Sequence, residues 1–309
     1  MRILVTGGAG FIGTTLCRRL LGLDHQVVCL DNFYTGRKQN IRQLLDNKNF
    51  ELLEHDVVKP FDVDCDQVYH LACPASPPKY QRDPVYTSQI CFNGTLNAIR
   101  CALNSNARFL LASTSEVYGD PEQHPQHESY RGSVNCNGVR SCYDVGKRIA
   151  ESITCDFYRS KDLDYRIERI FNTYGMYMDP NDGRVVSNFI CQALRGEDLT
   201  IYGDGSQTRS LCYVDDLVDG LISHMGGDYM GVCNLGNPEE ITVKQLADIV
   251  IQEINPNLRS VYRTLPSDDP TRRCPDISIA KDALGWEPKV KLKEGLNKTI
   301  GYFKNQLSL

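Results

Sequence analysis

No apolar run in the 309 residues approaches the roughly 20 that a bilayer span requires. The first strand-like segment, Arg2-Ile3-Leu4-Val5, leaves no room ahead of it for a signal peptide. The expectation is a soluble, cytoplasmic protein with no membrane partner. Positive charge is not in excess either: 34 Lys and Arg face 39 Asp and Glu, giving a net charge of −5. No general basic field exists to gather nucleic acid, so none is expected as a partner, and any anionic ligand must be met by local arginine clusters. CxxC spacings and Cys/His clusters are missing, although thirteen cysteines are scattered along the chain. That pattern argues against zinc and against a disulfide framework, and for reduced thiols at apolar positions; no metal is expected. Internal repeats and low-complexity stretches are also missing.

What is present has an ordinary globular composition, with 41% apolar and 24% charged residues. Short apolar runs at Ile3 to Val5, Gln26 to Leu30, Phe50 to Glu54, Gln67 to Leu71, Arg108 to Ala112 and Tyr165 to Ile170 read as strands. Helical patterns lie between several of them, and parallel neighbours need such crossovers. The expected fold is α/β, a Rossmann-type doubly wound parallel sheet spanning residues 1–172, with a return of roughly 208–238. Beyond Asn172, Gly- and Asp-rich stretches such as Asp179-Pro180-Asn181-Asp182-Gly183 interrupt shorter periodic segments. Residues 173–207 and 239–309 therefore read as a smaller substrate-binding lobe.

The segment Gly7-Gly8-Ala9-Gly10-Phe11-Ile12-Gly13 follows the first strand and opens a helix with Ile12, Leu16 and Leu20 on one face. Gly7 permits a tight turn, Gly10 lets backbone approach a pyrophosphate, and Gly13 allows close helix-to-strand packing. Asp31 ends the second strand 18 residues beyond Gly13, where a carboxylate accepts hydrogen bonds from an adenosine ribose. The same charge repels a 2′-phosphate and favours NAD over NADP, with Arg37 and Lys38 pulling the other way. Asp56, after the third strand, serves equally well beside an adenine or as a turn residue.

Tyr143 and Lys147 share one helix face at YxxxK spacing. Tyr34 and Lys38 have the same spacing but sit in a loop. Only Tyr143 opens an apolar-periodic stretch, through Ile149, Ile153 and Phe157, and only it has a hydroxyl candidate at a strand end, Thr114. A phenol titrates near 10, so a base role near neutrality requires stabilisation of its anion, which Lys147 and a nicotinamide charge supply. Thr114 would hold the hydroxyl that loses its proton.

These three features resemble the extended short-chain dehydrogenase/reductase superfamily. Within it, His70-Leu71-Ala72-Cys73-Pro74-Ala75-Ser76-Pro77-Pro78, Ser113-Thr114-Ser115-Glu116-Val117-Tyr118-Gly119 and Gly138-Val139-Arg140-Ser141-Cys142-Tyr143 resemble the UDP-glucuronate decarboxylase (UDP-xylose synthase) family. So do Asn181-Asp182-Gly183-Arg184, Gln207-Thr208-Arg209-Ser210, Asp268-Asp269-Pro270, Arg273 and Leu284-Gly285-Trp286-Glu287-Pro288, and the likeness covers essentially the whole chain.

The resemblance implies oxidation of C4 of UDP-glucuronate by NAD+, loss of CO2 from the β-keto acid, protonation of C5 and re-reduction of C4 to give UDP-xylose. It implies Tyr143 as acid/base, Lys147 as its electrostatic partner, Thr114 as hydroxyl aligner, Glu116 as a second acid/base and Arg273 near the carboxylate. For the cofactor it implies Gly7, Gly10, Phe11, Ile12, Gly13, Asp31, Asn32, Thr35, Gly36, Asp56 and Val57, followed by Leu71, Cys73, Ala112, Tyr143, Lys147, Thr173 and Arg184. For the sugar nucleotide it implies Ser76, Glu116, Asn172, Val186, Ser187, Asn188, Leu199, Tyr202, Arg209 and Arg273. A homodimer is implied as well, in which the Tyr143 helix and a preceding helix at about Val85 to Asn104 build a four-helix interface.

The chain departs from the family's usual pattern at Cys91, where an asparagine is common, at Gln89, at Met176-Tyr177 in place of Pro-Arg, and at Arg131, Val145 and Leu211. A phenol at Tyr177 lacks the fixed charge and fork of an arginine. Two other readings stay open: an epimerase or dehydratase acting on another nucleotide sugar, and a noncatalytic protein that binds NAD or a nucleotide sugar.

Overall fold

Strands buried on both faces become near-continuous aliphatic runs, and such runs need helices above and below them. In the computed structural model, which describes residues 1–264 and 272–308, seven strands build the central sheet. They are β1 (Arg2–Thr6), β2 (Gln26–Asp31), β3 (Phe50–Glu54), β4 (Gln67–His70), β5 (Arg108–Thr114), β6 (Tyr165–Ile170) and the late segment Gly231–Leu235. Their spatial order is Gly231–Leu235, β6, β5, β4, β1, β2, β3, and every pairing is parallel. This is the doubly wound α/β sheet that the alternation of runs predicts.

Period-two alternation decides which side chains enter which layer. Ile3 and Val5 join Leu16 and Leu20 of the helix Phe11–Gly22 on one side, whereas Leu4 joins Val68 and Phe109 on the other. The first cluster also contains Leu199, Leu246 and Phe303, so the later segments share a core with the sheet. Trp286 belongs to this packing: it is buried, and its indole N–H donates to the Asp216 carbonyl at 2.8 Å.

Strand order reverses between β1 and β4, which opens a crevice beyond the carboxyl ends of those strands. Two local departures from the sequence reading matter there. β5 runs two residues further than Ala112 and carries Ser113 and Thr114 to the rim of the crevice. The helix expected from Val85 to Asn104 is interrupted by a π-turn, Ile90–Gly94, between Pro84–Gln89 and Thr95–Asn104. An extra residue per turn leaves no mark on apolar periodicity over so short a stretch.

The remaining strands are short pairs: Thr173–Tyr174 with Cys212–Tyr213, Leu199–Tyr202 with Ser260–Arg263, and Thr208–Ser210 with Glu240–Thr242. They lie in the segments that face the crevice from beyond the sheet. Among the described residues no helix is long and apolar enough to cross a membrane.

Candidate active site

Gly7 and Gly13 of the glycine loop leave no space for a side chain. Gly7 has φ of +71°, and a Cβ on it would stand 2.8 Å from the Ala72 nitrogen. A Cβ on Gly13 would stand 2.2 Å from the Gly7 carbonyl oxygen. Gly10 precedes the helix Phe11–Gly22 without a side-chain cap, so the first-turn N–H groups are free to meet an anion. Asp31 is buried at the end of β2 and accepts hydrogen bonds from the Ala9 and Phe33 N–H groups at 3.0 and 2.8 Å. Burial pushes its carboxyl up, and those two donors oppose the shift. Lys38 turns away to Glu54 at 2.8 Å, and Arg37 is drawn to Gln39 and Gln306 at 3.2 and 3.4 Å. Glycines with no room for a Cβ, a helix N-terminus and a buried strand-end carboxylate together fit a dinucleotide.

One cavity of about 800 Å³ runs from this loop over the ends of β1, β4 and β5 to the short strands. Tyr143 and Lys147 reach it from the helix Ser141–Lys161, whose first turn points toward β5. The Lys147 ammonium donates to the Ala112 carbonyl at 2.7 Å and lies 6.0 Å from the Tyr143 ring centre. Burial and the neighbouring Cys73 push the Tyr143 phenol well above its usual range, and the adjacent Thr114 side chain opposes that shift. Tyr80 stacks on Tyr143, with ring centres 5.0 Å apart.

Glu116 sits in the turn after β5 and is gripped from two sides. Arg140 Nη2 donates to its Oε2 at 2.6 Å, and Arg273 Nη2 donates to the same oxygen at 3.0 Å. Burial alone would raise this carboxyl, but Arg273 and Arg140 outweigh it, with help from Arg209, and hold it below the usual range. Arg140 is the functional candidate that sequence reasoning missed; its position three residues before Tyr143 was the available signal. Asp144, one turn on, is pushed up to about 7 by burial and by the charge of Glu116, against the pull of Arg140.

Of the residues expected from sequence, Thr114, Glu116, Tyr143, Lys147 and Arg273 all line this cavity. So do Gly7, Gly10, Phe11, Ile12, Gly13, Asp31, Asn32, Thr35, Gly36, Val57, Leu71, Cys73, Ala112, Thr173 and Arg184, and on the other side Ser76, Asn172, Val186, Asn188, Tyr202 and Arg209. Three are outside its lining. Asp56 accepts the Tyr86 hydroxyl at 2.8 Å and the Val58 N–H at 3.1 Å, and His55 takes its place at the wall. Leu199 is fully buried because strand alternation turns Thr200, not its neighbour, toward the cavity. Ser187 is buried too, its hydroxyl donating to the Arg184 carbonyl at 2.9 Å. The motif Asp268-Asp269-Pro270 lies outside the described residues.

The departures fall partly on the site. Tyr177 lines the cavity with a left-handed backbone, φ of +71°, and packs on Tyr302 at 5.5 Å between ring centres. Cys91 Sγ meets Cys73 Sγ at 3.6 Å, whereas Gln89 and Arg131 are exposed.

The NAD dependent epimerase/dehydratase family matches the chain over residues 3–228, which include the glycine loop, Thr114 and the Tyr143 helix. The chain belongs to that family. Among its relatives, UDP-glucuronic acid decarboxylase 4 of Arabidopsis thaliana is 53% identical over 307 residues, covering 99% of this chain and 69% of the relative. UDP-glucuronic acid decarboxylase 6 of the same plant is 54% identical over 297 residues, covering 96% of this chain and 87% of the relative. A solved family structure, UDP-glucuronic acid 4-epimerase from Bacillus cereus in complex with UDP-glucuronic acid and NAD, superimposes with a TM-score of 0.90 at 28% identity, covering 99% of this chain and 100% of that one.

Proposed function

We propose that the chain is an NAD-dependent UDP-glucuronate decarboxylase that forms UDP-xylose in the cytoplasm. The observation that carries this reading is the Arg140–Glu116–Arg273 cluster in the same cavity as Thr114, Tyr143 and Lys147. Machinery for removing a proton from a sugar hydroxyl thus adjoins a charged pocket suited to a uronic acid. The relatives named as decarboxylases at 52–54% identity support the same reaction.

In this reading residues 1–172 and about 208–238 hold the dinucleotide, while 173–207 and 239–309 close over the sugar nucleotide. Asp31 receives the adenosine ribose, the glycine loop the pyrophosphate, and Lys147 the nicotinamide ribose. NAD+ bound there would supply the hydride acceptor for C4 of the sugar and, once reduced, the hydride source for the same carbon. Tyr143 takes the C4 hydroxyl proton, with Thr114 holding that oxygen in line and Lys147 stabilising the phenolate. Tyr143 and Thr114 then donate hydrogen bonds to the C4 oxygen as it gathers the electron pair released when CO2 leaves C5. Arg273 holds the departing carboxylate. Glu116, kept ionised by its arginines, accepts a hydrogen bond at first; the arriving substrate carboxylate raises its pKa, so that it takes up a proton from solvent and passes it to C5 after CO2 leaves. Arg209 meets the diphosphate, and Asn172, Val186, Asn188 and Tyr202 frame the nucleotide.

A homodimer belongs to this reading. Val85, Phe92, Ile149 and Tyr158 are exposed on the Pro84–Asn104 segment and the Ser141–Lys161 helix, which pack together, and an exposed apolar face on two adjacent helices suits a four-helix interface. Light scattering that gives a monomer at micromolar concentration would remove it.

Purified protein given UDP-glucuronate and catalytic NAD should convert it to UDP-xylose, identified by NMR, with one CO2 per turnover. Unchanged substrate, with both ligands bound, would overturn the reading. Glu116→Gln should retain NAD affinity and slow CO2 release by roughly 10²-fold or more.

A further inference from the structure

Three pairs of thiols adjoin in this fold: Cys17 with Cys29, Cys65 with Cys101, and Cys73 with Cys91. The first two pairs are sealed in the core, with Cys17, Cys29 and Cys101 fully buried and Cys65 5% exposed. The third is different. Cys73 lies in the loop after β4, is half-buried, and lines the same cavity as Tyr143 and Lys147. Its sulfur is 3.6 Å from that of Cys91, which is buried behind it in the π-turn Ile90–Gly94. Cys91 cannot retreat: it rests on Gly146 of the Tyr143 helix, where a Cβ would stand 2.8 Å from its sulfur.

We propose that Cys73 and Cys91 are an oxidant-sensing thiol pair that forms a reversible disulfide, with the oxidant reaching Cys73 through the cavity and Cys91 resolving it. The oxidant class is a hydroperoxide, such as hydrogen peroxide. The Cys73 thiolate attacks one peroxide oxygen, the O–O bond breaks, hydroxide leaves, and sulfur is oxidised to a sulfenic acid. Cys91 sulfur then attacks the Cys73 sulfur, the S–O bond breaks, and the thiol proton leaves with the oxygen as water. Two thiols and one peroxide thus give one disulfide and two waters. The hydrogen bond from Cys91 and the charge of Lys147 draw the Cys73 thiol down to about 7, against the effect of burial, which favours the nucleophilic thiolate. Closing the bond needs the sulfurs, now 3.6 Å apart, to approach to about 2.05 Å. Cys73 packs against the cluster of Tyr80, Cys142 and Tyr143, so its displacement disturbs the wall beside the phenol.

The test uses the reduced full chain without sugar nucleotide, titrated with hydrogen peroxide and read by peptide mass spectrometry after thiol blocking. A Cys73–Cys91 linked species about 2 Da lighter than the two free peptides should form at least about tenfold faster than links at the other two pairs, and dithiothreitol should reverse it. In Cys91→Ala the linked species should vanish and a trappable sulfenic acid, about 16 Da heavier, should appear on Cys73 instead. Saturating NAD, with binding checked by calorimetry, should slow oxidation about tenfold by covering Cys73. That last arm alone rests on the cavity being the NAD site; a protein that fails to bind NAD but forms the link refutes the functional reading and leaves the thiol pair standing. No linked peptide, or three pairs reacting at one rate, would overturn the pair, and an undiminished rate with NAD bound would overturn the cavity route.

Discussion

Arg273 Nη2 stands 3.0 Å from Glu116 Oε2 while its Nη1 donates to the backbone oxygens of Ser115 and Gly119 at 3.0 and 2.9 Å. One buried guanidinium therefore fixes both the carboxylate and the turn that carries it. A lysine offers a point charge without the fork and cannot satisfy all three acceptors. Arg273→Lys should lower kcat/KM by roughly 10²-fold, equivalent to about 2.7 kcal/mol, while NAD affinity stays within about threefold. Steady-state kinetics with calorimetry checks this; wild-type turnover in the variant would remove Arg273 from the site.

Arg140 is the second grip on Glu116, and its removal has a signed pH consequence. The arginines hold the Glu116 carboxyl below its ordinary value. Their contribution to folding is therefore present above the unfolded pKa and is lost as pH falls through the folded one. In Arg140→Leu the folded pKa rises, so the acid limb of the activity profile and the onset of acid destabilisation both move to higher pH. Profiles of kcat/KM and thermal melts between pH 4 and 7, on the acid side of neutrality, measure both limbs. An unmoved acid limb would mean that the contact at 2.6 Å does not control the ionisation of Glu116.

The Glu116 cluster also marks where sequence reading stops. Runs such as Ile3 to Val5 and Arg108 to Ala112 expose the sheet because burial on two faces demands aliphatic residues whatever lies far away. The glycine loop was legible for a related reason: a Cβ 2.2 Å from the Gly7 oxygen is excluded by local geometry alone. Arg140 carries no such imprint, since its meeting with Glu116 depends on how the helix Ser141–Lys161 docks against β5. Leu199 and Ser187 show the converse. Their neighbourhoods do approach the cavity, but strand and helix phase turn Thr200 and Val186 toward it. Asp56 was ambiguous in the sequence because its partner, Tyr86, is thirty residues away.

In the proposed reading Asp31 sets the choice of dinucleotide. Its carboxylate is anchored by the Ala9 and Phe33 N–H groups, and Lys38 pairs with Glu54 rather than facing the cavity. A 2′-phosphate would bring a second anion beside a fixed buried one, at a cost of about 1.4 kcal/mol or more. NAD should therefore bind at least about tenfold more tightly than NADP by calorimetry. Asp31→Asn should narrow that ratio chiefly by improving NADP binding. Equal affinities in the wild type would contradict this assignment of the carboxylate.

Far from the cavity, Glu168 and His224 form a polar contact with no exposure on either side chain. His224 Nδ1 meets Glu168 Oε1, and its Nε2 meets the Tyr229 carbonyl at 3.1 Å, while the second Glu168 oxygen has no hydrogen-bond partner. Burial pushes the Glu168 carboxyl up and the nearby imidazole draws it back. Removing one member leaves the other desolvated and unpaired, so Glu168→Leu should cost about 3 kcal/mol or more in chemical denaturation. Replacing both with apolar residues removes the orphan as well as the pair. Glu168→Leu/His224→Leu should recover most of that loss, since a buried polar pair rarely outweighs packed hydrocarbon of similar volume. A double variant less stable than the single one would show that this contact makes a net stabilising contribution to the junction of β6 with the helix Val214–Gly226.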